Sequence, residues 1–179
     1  QDTAELQTAV DLWVSDNASA LSTYGDINTW DVSLITNMEH LFYAKPTFNE
    51  DLSNWDVSNV TNMAFMFQNA NVFNGDISTW DVSSVTTMRY MFANANSFTG
   101  DISGWDVSNV ENMHSILRNN NFNGDISNWD VSSVTDAWCA FCDNHSFNQD
   151  ISGWNVSNLV SMGEMFLNAI SFNQDISSW

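Results

Sequence analysis

Positive charge is almost missing from this chain. Lys45, Arg89 and Arg118 are its only cations, against 22 acidic residues and a net charge of −19. With so few cations nothing can neutralise phosphates, which excludes nucleic acid as a partner. Docking on an anionic membrane surface is disfavoured for the same reason. Cation binding, basic partners or plain solubility stay open. No apolar run approaches the roughly 18 residues of a membrane-spanning helix, so no direct membrane insertion is expected. Cysteine is scarce too: Cys139 and Cys142 are too few for a disulfide scaffold. An initiator Met is absent; a chain opening at Gln1 suits a mature form without its signal peptide, or a fragment. What is present is a 44% apolar complement in 179 residues, enough for one domain with a sizeable core.

Self-similarity dominates what is there. An Asp-Ile/Leu-Ser-x-Trp motif starts coils at Asp26, Asp51, Asp76, Asp101, Asp125 and Asp150, with a partial one at Asp175. The period is 25 residues, except for 24 in the coil from Asp101, shortened in the stretch Arg118–Asn121. The same residue types recur in columns. Trp30, Trp55, Trp80, Trp105, Trp129, Trp154 and Trp179 form one; Phe48, Phe73, Phe98, Phe122, Phe147 and Phe172 form another. Such columns read as a shared core rather than a ligand groove. One coil cannot offset its own conformational entropy, so neighbouring coils must stack and bury each other's flanks.

The first half of each coil alternates apolar and polar residues and reads as a short strand or extended segment. The second half reads as a short helix. In residues 58–67, Val60, Met63, Met66 and Phe67 fall at i, i+3, i+6 and i+7, with Ser58 placed as an N-cap. Ser108 and Glu111 have capping-box spacing. The fold class expected is therefore an α/β repeat: a leucine-rich-repeat-like solenoid with one short strand or extended segment and one short helix per coil. Thr3–Val14 carries Leu6, Val10, Trp13 and Val14 on one helical face and matches no repeat. Residues 1–24 are expected to be an N-terminal capping helix and connector, and residues 25–179 six full repeats plus the start of a seventh. The chain stops mid-coil at Trp179, so a continuing polypeptide or another copy is expected over that end.

The recurring segments Phe48-Asn49, Asp51-Leu52-Ser53, Trp55-Asp56-Val57-Ser58 and Met63 with Met66-Phe67 resemble the BspA-like leucine-rich-repeat surface proteins. The resemblance spans Gly25 to Trp179. It implies a secreted or surface-displayed protein with adhesion or recognition roles, and it supplies no catalytic residues. Ala137 and Ala140 depart from the pattern by replacing two methionines, and Asn155 by replacing the Asp after Trp.

Several constellations invite chemistry. Asp51, Asp76, Asp101, Asp125 and Asp150 would stack at about the strand spacing of 4.8 Å. A ladder of calcium ions would offset their repulsion. Asx turns, in which each carboxylate accepts backbone N–H groups, are the preferred reading, because the Gly-rich calcium nonapeptide is missing. Apart from possible calcium, no cofactor is expected. The Cys139-x-x-Cys142 pair lacks a thioredoxin-like context and further zinc ligands. A local disulfide or two unpaired thiols remain, and a disulfide would demand a distorted turn in place of a helix. Stacked hydroxyls suggest ice binding, but the column Thr36, Thr61, Thr86, Thr135 is broken by Glu111 and Ser161. His40, His114 and His145 form no column, and nothing in the spacing indicates catalysis. Sequons at Asn17, Asn59, Asn144 and Asn155 are possible glycosylation sites.

Variable columns are where a repeat protein meets partners. One runs Glu39, Ala64, Arg89, His114, Trp138, Gly163; its neighbour runs His40, Phe65, Tyr90, Ser115, Cys139, Glu164. Phe65, Tyr90 and Trp138 lie off the inward face, and with Arg89 they make the candidate binding patch. The expected function is a non-catalytic secreted or cell-surface module recognising a protein or glycan. The alternative is a structural subunit of an extracellular fibre or surface layer, with copies of itself as partners.

Overall fold

The computed structural model describes residues 2–179; Gln1 falls outside them. Among the described residues the α-helices are α1 (Thr3–Ser15) and α2 (Asn17–Tyr24). A capping box starts α1: Asp2 Oδ1 accepts from the Glu5 amide at 2.8 Å, and Glu5 Oε2 accepts from the Asp2 amide at 3.0 Å. Asp16 ends α1 and caps α2 by accepting from the Ser19 amide. The single helix expected at this end is thus followed by a second one, occupying the connector.

α1 turns Leu6, Ala9, Val10 and Trp13 into the core, where the Trp13 and Trp30 rings meet edge to face at 5.7 Å. It also carries a polar stripe at four-residue spacing. Thr3 Oγ1 donates to the Asn37 carbonyl, Gln7 Nε2 donates to the Leu41 carbonyl, and Asp11 accepts from Lys45 Nζ at 2.6 Å. In later coils the equivalent carbonyls, Asn62 and Met66, accept amides from the preceding coil. The first coil has no predecessor, so the helix side chains satisfy carbonyls the stack would otherwise leave open.

The coils that follow are not the strand-and-helix solenoid of a leucine-rich repeat. No α-helix recurs in them and no sheet forms among the described residues; the inter-coil pairing is a line of isolated parallel bridges, Asn37–Asn62–Thr87–Asn112–Asp136–Ser161. Each coil is a series of β-turns. In the coil from Asp51, Trp55 N–H bonds the Leu52 carbonyl and Val60 N–H bonds the Val57 carbonyl. From Met63 onward the amides alternate. Those of Met63, Phe65, Phe67 and Asn69 donate to carbonyls of the next coil, Thr87, Arg89, Met91 and Ala93. Those of Met66, Gln68 and Ala70 donate three residues back within their own coil.

An α-helix keeps every amide for its own carbonyl four residues back. Here half of them join neighbouring coils, and φ is +59° at Phe65 and +60° at Asn69, outside any right-handed helix. The spacing that suggested a helix has another source. Consecutive β-turns bring the chain round every three residues, so Val60, Met63, Met66 and Ala70 face inward turn after turn. Ser58 lies inside the Val57–Val60 turn instead of capping a helix. Glu111 caps nothing; its amide bonds the Thr86 carbonyl.

The columns expected to be core are buried, except at the last members Phe172, Ile176 and Trp179, which are half-buried. From Trp55 on, each Trp of the column keeps its ring against the core and sends its indole N–H to the preceding coil: Trp55 to the Ile27 carbonyl at 2.7 Å, Trp80 to Leu52 at 3.0 Å, Trp105 to Ile77 at 3.2 Å. Trp129, Trp154 and Trp179 repeat the bond. This explains tryptophan over phenylalanine in that column, since the buried aliphatic row would otherwise leave carbonyl lone pairs unpaired. Phenylalanine rings stack from coil to coil, as in Phe48–Phe73 at 5.9 Å and Phe73–Phe98 at 6.0 Å. Where Ala137 and Ala140 replace methionines, an apolar cavity of about 20 Å³ remains beside Met113, Trp129 and Met165.

Candidate functional site: an aromatic ladder across five coils

Two positions in the second half of every coil have a positive φ. One is occupied by Ala44, Asn69, Asn94, Asn119, Asp143 and Asn168, the other by His40, Phe65, Tyr90, Ser115, Cys139 and Glu164. Left-handed φ costs a residue with a Cβ on the order of 1 kcal/mol, least for Asn and Asp. The first row, mostly Asn and Asp, follows that rule. The second does not follow it: it holds three rings, at His40, Phe65 and Tyr90, and then Ser115, Cys139 and Glu164.

Those rings meet. His40 stacks on Phe65 at 4.6 Å, Phe65 on Tyr90 at 5.0 Å, Tyr90 tilts against His114 at 5.0 Å, and His114 stacks on Trp138 at 5.0 Å. The ladder changes column between Tyr90 and His114. The side chains cause the step: the backbone pairing is the same in every coil, with the Phe65 amide on the Arg89 carbonyl and the Tyr90 amide on the His114 carbonyl, but Ser115 offers Tyr90 no ring and its neighbour His114 does. At the far end Trp138 lies over Gly163, where a Cβ would come within 2.9 Å of the ring. Except for exposed His40, the ladder residues are half-buried.

Polar groups hold the ladder from its sides. The Arg89 guanidinium sits 4.7 Å above the Phe65 ring and 3.7 Å from Glu39. His114 bridges the Tyr90 hydroxyl at 3.0 Å and the Asp136 carboxylate at 3.3 Å. With Nδ1–H donating to Asp136, Nε2 accepts from Tyr90, so one tautomer satisfies both bonds. Ser115, beneath the step, is fully buried and its hydroxyl has no partner. Phe65, Tyr90, Trp138 and Arg89 are thus brought onto one surface, with His40, His114, Glu39 and Asp136 added. The two histidines are not part of the sequence-derived patch because they form no column together; the ring contacts alone show that the ladder passes from Tyr90 to His114.

The aspartate rows are built into turns. Asp51, Asp76, Asp101, Asp125 and Asp150 each accept through Oδ1 from the amide two residues on, at 2.8–3.0 Å. Asp31, Asp56, Asp81, Asp106 and Asp130 do the same. Among the described residues no three His, Cys, Asp or Glu side chains converge on a cation position. The serine hydroxyl and then the amide hold Asp56, Asp101, Asp130 and Asp150 below the usual carboxyl value of 3.8. At Asp76 and Asp125 the amide contributes first. A carboxyl made more acidic by folding stabilises the fold above its unfolded value and loses that contribution as pH falls through the lower folded value. Thermal melts are expected to show a constant Tm down to about pH 4 and a falling Tm below it. A Tm that rises on acidification would show that repulsion between neighbouring carboxylates outweighs the turn bonds.

Cys139 and Cys142 are buried and paired with each other across a β-turn, with Cα atoms 4.8 Å apart. The sequons differ in access. Asn17 is exposed at the start of α2, and Asn155 is exposed in a turn. Asn59 is exposed but donates its amide to the Ser33 carbonyl. Asn144 is fully buried and donates to the Phe122 carbonyl, so the folded chain has no room for a glycan there.

The family description "Mycoplasma protein of unknown function, DUF285" matches residues 12–121 and 100–179. No curated protein and no solved structure matches the chain. The two matched segments together take in every coil, and the chain belongs to the DUF285 family of repeat proteins.

Proposed function

We propose that the chain is a non-catalytic recognition module, secreted or displayed at a cell surface, that engages a protein partner through its aromatic ladder. The continuous stack of five rings with Arg89 beside it, all reaching the surface, carries this reading. Phe65, Tyr90 and Trp138 are large rings at positions that the regular core does not need. Half-buried aromatics beside a stacked arginine have the composition of a binding hot spot.

A protein suits the ladder better than a glycan. Sugars stack on the open faces of aromatic rings, and these faces are covered by the neighbouring rings. Ring edges, with Arg89 and Asp136 beside them, are what a partner meets. Display outside the cell is supported by the paired cysteines and by the resemblance to BspA-like surface proteins. Continuous rows of aspartate in the first half of each coil weigh against side-by-side assembly into fibres through those rows.

The test is binding to arrays of immobilised extracellular-matrix proteins and of glycans, with the wild type and with Phe65→Ser/Tyr90→Ser/Trp138→Ser. The variant is expected to stay folded, losing about 1 kcal/mol per half-buried ring, and to lose roughly tenfold or more in protein binding. Undiminished protein binding by the variant, or binding confined to glycans, overturns the reading.

A further inference from the structure

The bond between Cys139 and Cys142 is not needed to shape the chain. The two residues bracket a β-turn in which the Cys142 amide donates to the Cys139 carbonyl at 3.2 Å. The same turn closes in the other coils, from Tyr43 to His40, Gln68 to Phe65, Ala93 to Tyr90, Arg118 to Ser115 and Leu167 to Glu164, with no sulfur in it. A disulfide across so short a loop also restrains the unfolded chain little. Its surroundings suit chemistry better than stapling. In the row of Cys139 consecutive side chains meet, as His40 on Phe65 and Phe65 on Tyr90 show. Ser115 stands one coil before Cys139 in that row, and its amide bonds the Trp138 carbonyl. Its hydroxyl is completely buried and has no partner. Such an orphan costs stability unless another state of the molecule supplies a partner. A disulfide sulfur accepts hydrogen bonds weakly; an ionised sulfur accepts them strongly. Cys142 lies in the row of Tyr43, Gln68, Ala93, Arg118 and Leu167. Tyr43, Arg118 and Leu167 are exposed, so this row faces solvent, and its small members Ala93 and Cys142 are buried beneath longer neighbours. Arg118 enters no ion pair among the described residues.

We propose that Cys139–Cys142 is a reversible thiol–disulfide exchange site that takes electrons from a dithiol. A thiolate of the donor, drawn by Arg118, attacks the Cys142 sulfur. The sulfur–sulfur bond breaks and its electron pair leaves on Cys139, where the Ser115 hydroxyl donates to the new thiolate. The donor's second thiolate attacks the donor sulfur of the mixed disulfide and releases Cys142 as a thiolate. Each cysteine then takes up a proton, and the Cys139 thiol keeps Ser115 paired. The donor ends as a disulfide, and two electrons and two protons have passed to the chain. The turn retains its backbone bond, so the reduced chain stays folded and a disulfide oxidant reverses the step. Docking on the ladder plays no part in this, and either reading can fail without the other.

Dithiothreitol is the probe, with free thiols alkylated by iodoacetamide and counted by mass spectrometry. The folded chain is expected to gain two alkylated cysteines without denaturant and to keep its circular dichroism. Reduction that runs only as fast as global unfolding overturns the proposal. Ser115→Ala removes the partner of the reduced form, so the equilibrium constant for reduction should fall roughly fivefold while the Tm of the oxidised protein holds or rises. An unchanged constant, or a Tm lowered equally in both redox states, would make Ser115 a packing residue and sink the proposal. Arg118→Gln should slow reduction by roughly threefold and leave the equilibrium constant within about twofold. Cys139→Ser and Cys142→Ser fix the order of attack. The Cys142 thiol left in the first should react with dithionitrobenzoate roughly tenfold faster than the Cys139 thiol left in the second. Equal rates, or a faster Cys139, would also overturn it.

Discussion

Trp80→Ala is expected to cost about 3–5 kcal/mol of unfolding free energy. The ring is 3% exposed and stacks on Trp105 at 6.4 Å, with Phe67 at 6.3 Å. Its indole N–H also ties its coil to the Leu52 carbonyl. Trp80→Phe separates the two contributions. The Leu52 carbonyl keeps its bond from the Trp55 amide, so removing only the indole donor should cost about 1 kcal/mol beyond the small loss of packing. Urea unfolding followed by circular dichroism measures both. The alanine variant has a second signature: Trp80 joins one coil to the next, and weakening a single junction in a stack splits its cooperativity. The m-value should fall, or the transition should become two-stepped. A loss under about 1 kcal/mol for Trp80→Ala would mean that the tryptophan column does not hold the coils together.

The sequence disclosed the period, the stacking and the identity of the core, because a buried position repeats a residue type regardless of backbone conformation. It did not disclose that conformation. Val60, Met63, Met66 and Phe67 satisfy a helical face and a chain of β-turns equally well, since both return every three to four residues. What decides is where the amides go, and in this chain half of the decisive ones go to another coil. One local signal pointed the right way. Asn recurs as Asn69, Asn94, Asn119 and Asn168 where a helix would want alanine or leucine, and Asn is the residue that tolerates left-handed φ. The ladder was half legible. Phe65, Tyr90 and Trp138 stand out in the sequence as large rings off the apolar face, while His40 and His114 do not, because the three histidines form no column of their own. Sequence periodicity registers residues that stay in one column and is blind to contacts that step between two.

The shortened coil gives the other large effect, and it runs against the repeat's own consensus. Ala70, Ala95 and Ala169 occupy the position of Asn120, so Asn120→Ala looks like a repair. It is expected instead to destabilise the fold by about 3 kcal/mol. In full-length coils the phenylalanine amide bonds the alanine carbonyl three residues back: Phe73 to Ala70, Phe98 to Ala95. With one residue missing, Asn120 stands two residues before Phe122 instead of three, and the Phe122 amide goes to the Asn120 side chain, to Oδ1 at 2.7 Å. The Asn120 side-chain amide in turn donates to the Ala95 and Phe92 carbonyls at 2.7 and 3.0 Å. Alanine would remove all three bonds and strand a buried N–H that no short movement of the chain can satisfy. Asn144 provides the comparison. It too is buried and accepts from the Phe147 amide, at 3.0 Å, but its coil has the full 25 residues. In Asn144→Ala the Phe147 amide can relax onto the backbone carbonyl of residue 144, as Phe73 does with Ala70. That variant should cost about 1–2 kcal/mol less than Asn120→Ala. Equal losses in chemical denaturation would show that the missing residue does not set the role of Asn120.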